Sequence, residues 1–386
     1  PLLWELSQHV FIFGSAKTGK TSALTMMRQQ SVAREAQVFS ISCSGLRSST
    51  AQHIDVSDRE LLRRLLLMMI KRIDGPPVLD EEEQWVLFID DIDIWRNHFI
   101  DDRIGLEIWT MFERIFLEGP SHRIACVISG IQATAIPAML SSRVKQKWAL
   151  TSPPGRCVVD CDGRELFAQL LAPENGGSSP RPVLASQPEL RHLPRVITSD
   201  SLQQAESWAV LADDLTEVCL PFGRGIAILG ARHSGRTMVM GAMQHAWEQV
   251  HPRGRVIDLR QHTKIVDVYS EFEKEPTLIL ADESTMYPGI ADFMNQAAIS
   301  SGNVTLIASA SPNFVRAHPE HWLNTLRRAR TGMLLGRAAV DEADLLGLYT
   351  SQPHVYGEAK GRGLWVVDGC PIGIAQSASA KFEAVA

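Results

Sequence analysis

The stretch His9-Val10-Phe11-Ile12-Phe13-Gly14-Ser15-Ala16-Lys17-Thr18-Gly19-Lys20-Thr21 decides the fold. An apolar run of strand length enters a Gly-x-x-x-x-Gly-Lys-Thr turn, and a helix is predicted from Thr21 towards Arg28. Glycines at both ends of such a turn let backbone N–H groups close around phosphate oxygens, and the helix start adds a favourable dipole. On this pattern Gly14, Ser15, Ala16, Lys17, Thr18, Gly19, Lys20 and Thr21 form a nucleotide-binding loop, with Lys20 directed at the phosphates and the Thr21 hydroxyl at Mg²⁺.

The same plan recurs without a gap as Gly225-Ile226-Ala227-Ile228-Leu229-Gly230-Ala231-Arg232-His233-Ser234-Gly235-Arg236-Thr237. Further landmarks follow in the same order in both halves. Val86-Leu87-Phe88-Ile89 ends in Asp90-Asp91, and Leu278-Ile279-Leu280-Ala281 ends in Asp282-Glu283. Ile124–Ser129 and Val304–Ser309 are continuous apolar runs, as expected of strands buried on both faces. Pro154-Gly155-Arg156 before Val158-Val159 is echoed by Gly361-Arg362-Gly363 before Val366-Val367. Strands alternating with helical stretches predict two tandem α/β P-loop domains, mostly parallel sheets flanked by helices. A Pro- and Gly-rich segment from Pro173 to Pro194 separates them, which places the domains at 1–198 and 199–386. Ser57-Asp58-Arg59-Glu60 has capping-box spacing, with Ser57 as the expected N-cap of a helix through Ile73. The second half has a longer run before its loop, Ala209 through Phe222, so the first half looks short of an opening segment.

The acids after the middle strand give the two sites different chemistry. Asp90 stands where a carboxylate helps hold Mg²⁺, and Asp91 where a base orients the attacking water. That base is usually glutamate, and a displacement of about 1 Å can cost on the order of 10²-fold in rate, so firm binding with slow turnover is expected. The second half reverses the defect. Asp282-Glu283 is the full acid pair, with Glu283 as candidate base, but Gly230, Ala231, Arg232, His233, Ser234, Gly235, Arg236 and Thr237 carry Arg236 in place of the lysine. A planar guanidinium does not replace a compact ammonium. Arg236 either salt-bridges a phosphate or folds onto Asp282 and fills the site, and little or no hydrolysis is expected there.

Composition narrows the classes. The chain has 386 residues, 45% hydrophobic and 21% charged, which fits about two soluble globular domains and excludes a disordered or fibrous chain. A net charge of −6 argues against a broad nucleic-acid surface. The Leu65–Ile70 run, flanked by Arg63-Arg64 and Lys71-Arg72, is far short of the ~20 residues a bilayer requires. Six scattered cysteines read as reduced core thiols, and neither they nor the twelve histidines have metal spacing. Arg327, Arg328 and Arg330 read as basic residues at a helix end, favoured there by the dipole.

These motifs resemble the FtsK/SpoIIIE ring ATPases, and within them the last two ATPase domains of the EccC-type family of type VII secretion. The resemblance rests on His9–Thr21, Leu87–Asp91, Pro154-Gly155-Arg156, Leu193-Pro194, Asp213-Asp214-Leu215, Gly235-Arg236-Thr237, Gly361-Arg362-Gly363 and Ile374-Ala375-Gln376. It implies ATP and Mg²⁺ as cofactors, degenerate second and third sites, a hexameric ring, and a membrane-anchored ATPase subunit or upstream ATPase domain as partner. It implies small helical-hairpin WXG-type substrates whose C-terminal signal segment docks on the last domain, and a cytoplasmic location peripheral to the inner membrane. DNA-pumping relatives carry a Thr-Gln pair after the fourth strand. Here Ser129 precedes Gly130-Ile131 and Ser309 precedes Ala310, which puts coupling of hydrolysis to movement in doubt. A DNA or conjugation translocase and a purely structural ATPase relative are the competing expectations.

Overall fold

The computed structural model describes residues 4–43, 52–76, 83–97, 99, 103–161, 163–170, 190–260, 275–285, 303–348 and 359–379. They form two compact units, Pro1–Arg191 and His192–Ala386. Most of the Pro- and Gly-rich separator, residues 171–189, lies outside the described residues.

In the first unit the elements run β1 Val10–Phe13, α1 Lys20–Ala33, β2 Gln37–Ser42, β3 Gln52–Asp55, α2 Arg59–Asp74, β4 Trp85–Ile89, α3 Ile92–Asn97 and α4 Arg103–Glu118. There follow β5 Ile124–Gly130, α5 Ala138–Ser141, β6 Gln146–Thr151, β7 Arg156–Cys161 and β8 Arg164–Gln169. The sheet order is β3-β2-β4-β5-β1-β6-β7-β8, parallel from β3 to β6, with β7 and β8 added antiparallel as a hairpin. β5 is buried at every position, which explains a strand with no polar alternation. The loop after β1 therefore emerges beside the ends of β4 and β5, where Asp90 and Ser129 lie.

Helix α2 shows how the first unit is held. Leu62, Leu65, Leu66, Met69 and Ile73 recur at helical spacing and pack in one cluster with Ile108, Phe112, Ile115 and Phe116 of α4. Burying each such side chain contributes roughly 1.5–3 kcal/mol. The helix begins one residue later than the capping-box spacing predicts. Asp58 is the N-cap and accepts from the Leu61 N–H, while the Ser57 hydroxyl donates to Asp55. The Asp55 carboxylate, fixed at the end of β3, captures Ser57 before it can cap.

In the second unit the elements are β9 Ile197–Thr198, β10 Ser207–Leu211, β11 Glu217–Cys219, β12 Gly225–Leu229, α6 Arg236–Val250, β13 Arg255–Asp258 and β14 Thr277–Asp282. They continue with β15 Val304–Ala310, α7 Pro312–Ala317, α8 Leu323–Arg328, β16 Gly332–Leu335, α9 Ala338–Asp341, β17 Arg362–Val367 and β18 Cys370–Ser379. The order β11-β10-β18-β17-β16-β12-β15-β14-β13 repeats the first sheet's central path, with β9 also pairing β18. Both sheets bury aliphatic clusters on each face.

Leu193 and Pro194, read in the sequence as closing the first domain, are held by the second unit. Their carbonyls accept from the Arg362 guanidinium at 3.1 Å each, and β9 extends the same sheet. Not every cysteine is a core thiol: Cys126 and Cys157 are buried, but Cys219 and Cys370 are exposed. No helix among the described residues is long and apolar enough to cross a membrane.

Candidate functional sites in the two loops

Both loops have the same backbone. Gly19 stands at φ 98° and Gly235 at φ 101°, a left-handed turn that only glycine adopts freely, and each directly precedes its helix. Lys17 and His233 share the left-handed region at φ 65° and 67°. Behind each loop stands the glycine of the later landmark. Gly155 N–H donates to Thr18 O, and Gly361 N–H donates to Ser234 O, both at 2.9 Å. A Cβ on Gly19 would meet Gly155 N at 3.2 Å, and one on Gly235 would meet Gly361 N at 2.3 Å. These turns were visible in the sequence only as landmarks, and the structure gives them the task of backing the loops.

In the first unit the predicted residues converge. Lys20 Nζ donates to Gly14 O at 2.8 Å and Ser15 O at 3.2 Å, so the ammonium is held at the loop with a third donor to spare. Thr21 Oγ1 donates to Asp90 Oδ2 at 3.1 Å. Asp90 is 6% exposed, and its Oδ1 accepts from Ser129 Oγ at 2.5 Å. The same hydroxyl accepts the Asp91 N–H at 2.8 Å. Ser129 thus orients both acids, a role that comparison with a Thr-Gln pair did not suggest. The available signal was a hydroxyl at the end of the strand beside Asp90.

Asp91 adopts φ 55° and is half-buried. Burial and then the neighbouring Asp90 charge push its carboxyl above the usual carboxylate range, with Lys20 partly opposing. The shift makes it a stronger base. Cys43 lies in the same acidic surroundings, and burial together with Asp91, Asp55 and Asp90 pushes its thiol up to about 11. It is therefore protonated near neutral pH and is no nucleophile. A cavity of about 60 Å³ opens beside Thr21 and Asp90, lined also by Thr25, Arg28, Ser40 and His53, with room for a few waters. Mg²⁺ takes oxygen donors and is commonly held by one or two carboxylates plus substrate phosphates. The Thr21 hydroxyl and Asp90 carboxylate fit that requirement.

The second unit spends the same positions differently. Arg236 Nη1 forms an ion pair with Glu283 Oε1 at 3.2 Å and not with Asp282, which with a phosphate was one of the two partners the sequence left open. Glu283 Oε2 accepts the Ser311 N–H at 2.5 Å, so both carboxylate oxygens are engaged. The longer guanidinium reaches past the first acid to the second. Asp282 turns instead onto its own following residues, accepting from Ser284 N–H at 2.9 Å and Ser284 Oγ at 2.6 Å. Among the described residues no hydrogen bond joins Thr237 to Asp282, so the Thr21–Asp90 contact of the first unit has no counterpart here.

No family model and no curated relative matches the chain. Solved structures do. EssC (ATPases 2 and 3) from Geobacillus thermodenitrificans matches 98% of this chain and 92% of its own at TM-score 0.68 and 13% identity. Thermomonospora curvata EccC (ATPases 2 and 3), solved in complex with a signal sequence peptide, matches 99% of this chain and 90% of its own at TM-score 0.65 and 15% identity. The cytoplasmic domain of the type VII secretion ATPase EccC from the same organism matches 98% of this chain, which spans 58% of it, at TM-score 0.65 and 14% identity. The chain has the tandem P-loop fold of the second and third ATPase domains of the type VII secretion proteins EssC and EccC.

Proposed function

We propose that this protein is a nucleotide-regulated component of a type VII protein secretion machine. Its first unit binds Mg-ATP and turns it over slowly. Its second unit, with its loop arginine neutralised internally, receives the C-terminal signal segment of a small helical-hairpin substrate. The observation that carries the proposal is the convergence of Lys20, Thr21, Asp90 and Ser129 in one unit, against the Arg236–Glu283 pair in the other. The location that follows is cytoplasmic, at the membrane through a membrane-anchored ATPase partner.

In the first unit the loop N–H groups and Lys20 hold the triphosphate, the ammonium exchanging its loop carbonyls for phosphate oxygens. Thr21 and Asp90 hold Mg²⁺, which neutralises charge on the phosphates when bound. Ser129 fixes Asp90, and Asp91 orients the attacking water and takes its proton. The short reach of Asp91 keeps this step slow.

The proposal is tested by thermal unfolding with Mg-ATP. At 100 times Kd the ligand adds about 2.7 kcal/mol to the unit that binds it. For a unit of this size that raises its Tm by roughly 5–11 °C, and Lys20→Ala abolishes the rise. A wild-type protein indifferent to Mg-ATP, or a rise that survives Lys20→Ala, refutes the assignment.

A further inference from the structure

The cavity beside Thr21 and Asp90 continues along one face of α1, past Leu24 and Thr25 to Arg28, over a floor of Ser40 and Ser42 from β2 and His53 from β3. Two helical turns, about 10 Å, separate Thr21 from Arg28. A long side chain on a helix leans towards the N-terminus, which here is towards Thr21.

Arg28 is a cation without an anion. It is half-buried, its Nε is fully enclosed, and among the described residues it forms no hydrogen bond or ion pair. On α2, by contrast, Arg64 pairs with Glu60 and Arg63 with Glu107, at 3.1 Å each. Burial lowers the pKa of Arg28, yet a guanidinium stays charged near neutral pH. An enclosed charged donor without an acceptor is costly, so its presence calls for an acceptor that arrives from outside.

The second unit fills the same positions differently. In the gapless alignment of the two loops Arg28 corresponds to Gln244, whose Nε2 donates to Glu248 Oε1 at 2.8 Å on the surface. Ser40 lies opposite Phe88 and Asp258 opposite Leu280, so Asp258 takes the place of Ser40 and Arg260 that of Ser42. Those two form their own ion pair at 2.7 Å. The unit that lacks the Thr21–Asp90 contact thus also lacks the unpaired cation, and its floor carries a carboxylate that repels anions.

We propose that Arg28 and Ser40 form an oxyanion subsite for inorganic phosphate, the ion that hydrolysis in the first unit releases. The subsite rests on the Mg-ATP reading of that unit only for the origin of its ligand. The cavity of about 60 Å³ holds a few waters, which the four oxygens of one tetrahedral anion replace. Arg28 supplies planar donors suited to phosphate. Ser40 Oγ lies 3.3 Å from His53 Nδ1, and with the imidazole donating, the hydroxyl proton is free for the anion. The Asp90 carboxylate stands at the near end, so the charge gradient runs towards Arg28.

The test is calorimetric titration of the full chain with inorganic phosphate, in saturating Mg-ADP and, separately, in Lys20→Ala, whose loop no longer holds a phosphate. Saturable binding is expected in both, weakened at least tenfold by Arg28→Met. Without phosphate the Tm of Arg28→Met should equal or exceed that of the wild type, because an enclosed unpaired cation has gone. Thr25→Leu fills the cavity from the neighbouring turn and should weaken binding as well. No saturable binding, binding that Mg-ADP abolishes, or binding indifferent to both variants overturns the proposal. A lower Tm of Arg28→Met with phosphate binding unchanged marks a packing role and also overturns it. If Mg-ADP itself does not bind, the nucleotide reading falls, and the Lys20→Ala titration still decides the subsite.

Discussion

Two loops with matching left-handed positions, Gly14–Thr21 and Gly230–Thr237, differ in what their helix-initial cation does. Lys20 rests on main-chain carbonyls of its own loop, while Arg236 crosses to a carboxylate whose other oxygen is already bonded. A phosphate arriving at the first loop displaces neutral acceptors, whereas at the second it must break an ion pair. The lesson is that two loops with the same glycine geometry can engage their helix-initial cations in opposite ways. The Arg236 and Glu283 side chains are 19% and 28% exposed, so the hydration both ions lose offsets much of their attraction and the pair is weak evidence for stability.

The largest expected effect separates the units by pH. His9, directly before β1, is buried, stacked on Phe116 with ring centroids 4.0 Å apart. Its Nε2 bonds Phe116 O at 2.7 Å, and its Nδ1 accepts the Cys126 N–H at 2.9 Å, which assigns the neutral tautomer with the proton on Nε2. Burial lowers its pKa from 6.5 to about 4. Between these values the unfolded chain binds the proton and the folded one does not. The contribution is therefore whole above pH 6.5 and falls away as pH drops to about 4, by roughly 3 kcal/mol. The equivalent position in the second unit is Gly225, where a Cβ would meet Leu326 Cδ1 at 2.2 Å. Urea unfolding followed by hydrogen exchange should show the first unit weakening over that range, and His9→Gln should flatten the dependence.

A second experiment attacks the comparison directly. Arg236→Lys restores the lysine of the complete loop, and calorimetric titration with Mg-ATP should then find two sites per chain rather than one. At 100 times Kd the second unit would gain about 2.7 kcal/mol. If the stoichiometry stays at one, the inward turn of Asp282 and not Arg236 closes the site.

The smallest effect concerns α2. Asp58→Ala should destabilise the first unit by about 1 kcal/mol in urea unfolding, as loss of an N-cap does, while Ser57→Ala should change it by a few tenths. Equal effects would restore the capping assignment that the sequence suggested.

These residues also show where sequence suffices. The loops, the doubly buried strands and the order of landmarks were legible because each depends on local pattern, either glycine geometry or unbroken apolar runs. The Arg236 partner was not, because choosing between adjacent acids depends on side-chain reach and on Ser311, a distant residue that claims one oxygen. Ser129 was missed for a related reason: a lone serine is chemically plain until β4 and β5 bring it to Asp90 and Asp91. Ser57 lost the N-cap role to Asp58 because its hydroxyl is drawn to Asp55, a contact that no helix signature encodes.

The glycine turns behind the loops have a mechanical consequence. Gly155 is bonded to Thr18 on one side and receives Leu170, just past the end of β8, on the other. Gly361 does the same between Ser234 and Ser377. Each loop is thus linked in series, through two hydrogen bonds and no side chain, to the last strand of its hairpin. A tug at the loop is a tug at that strand, and a load clamped on the strand stiffens the loop. In the second unit β10, paired along β18, bears on this linkage as well.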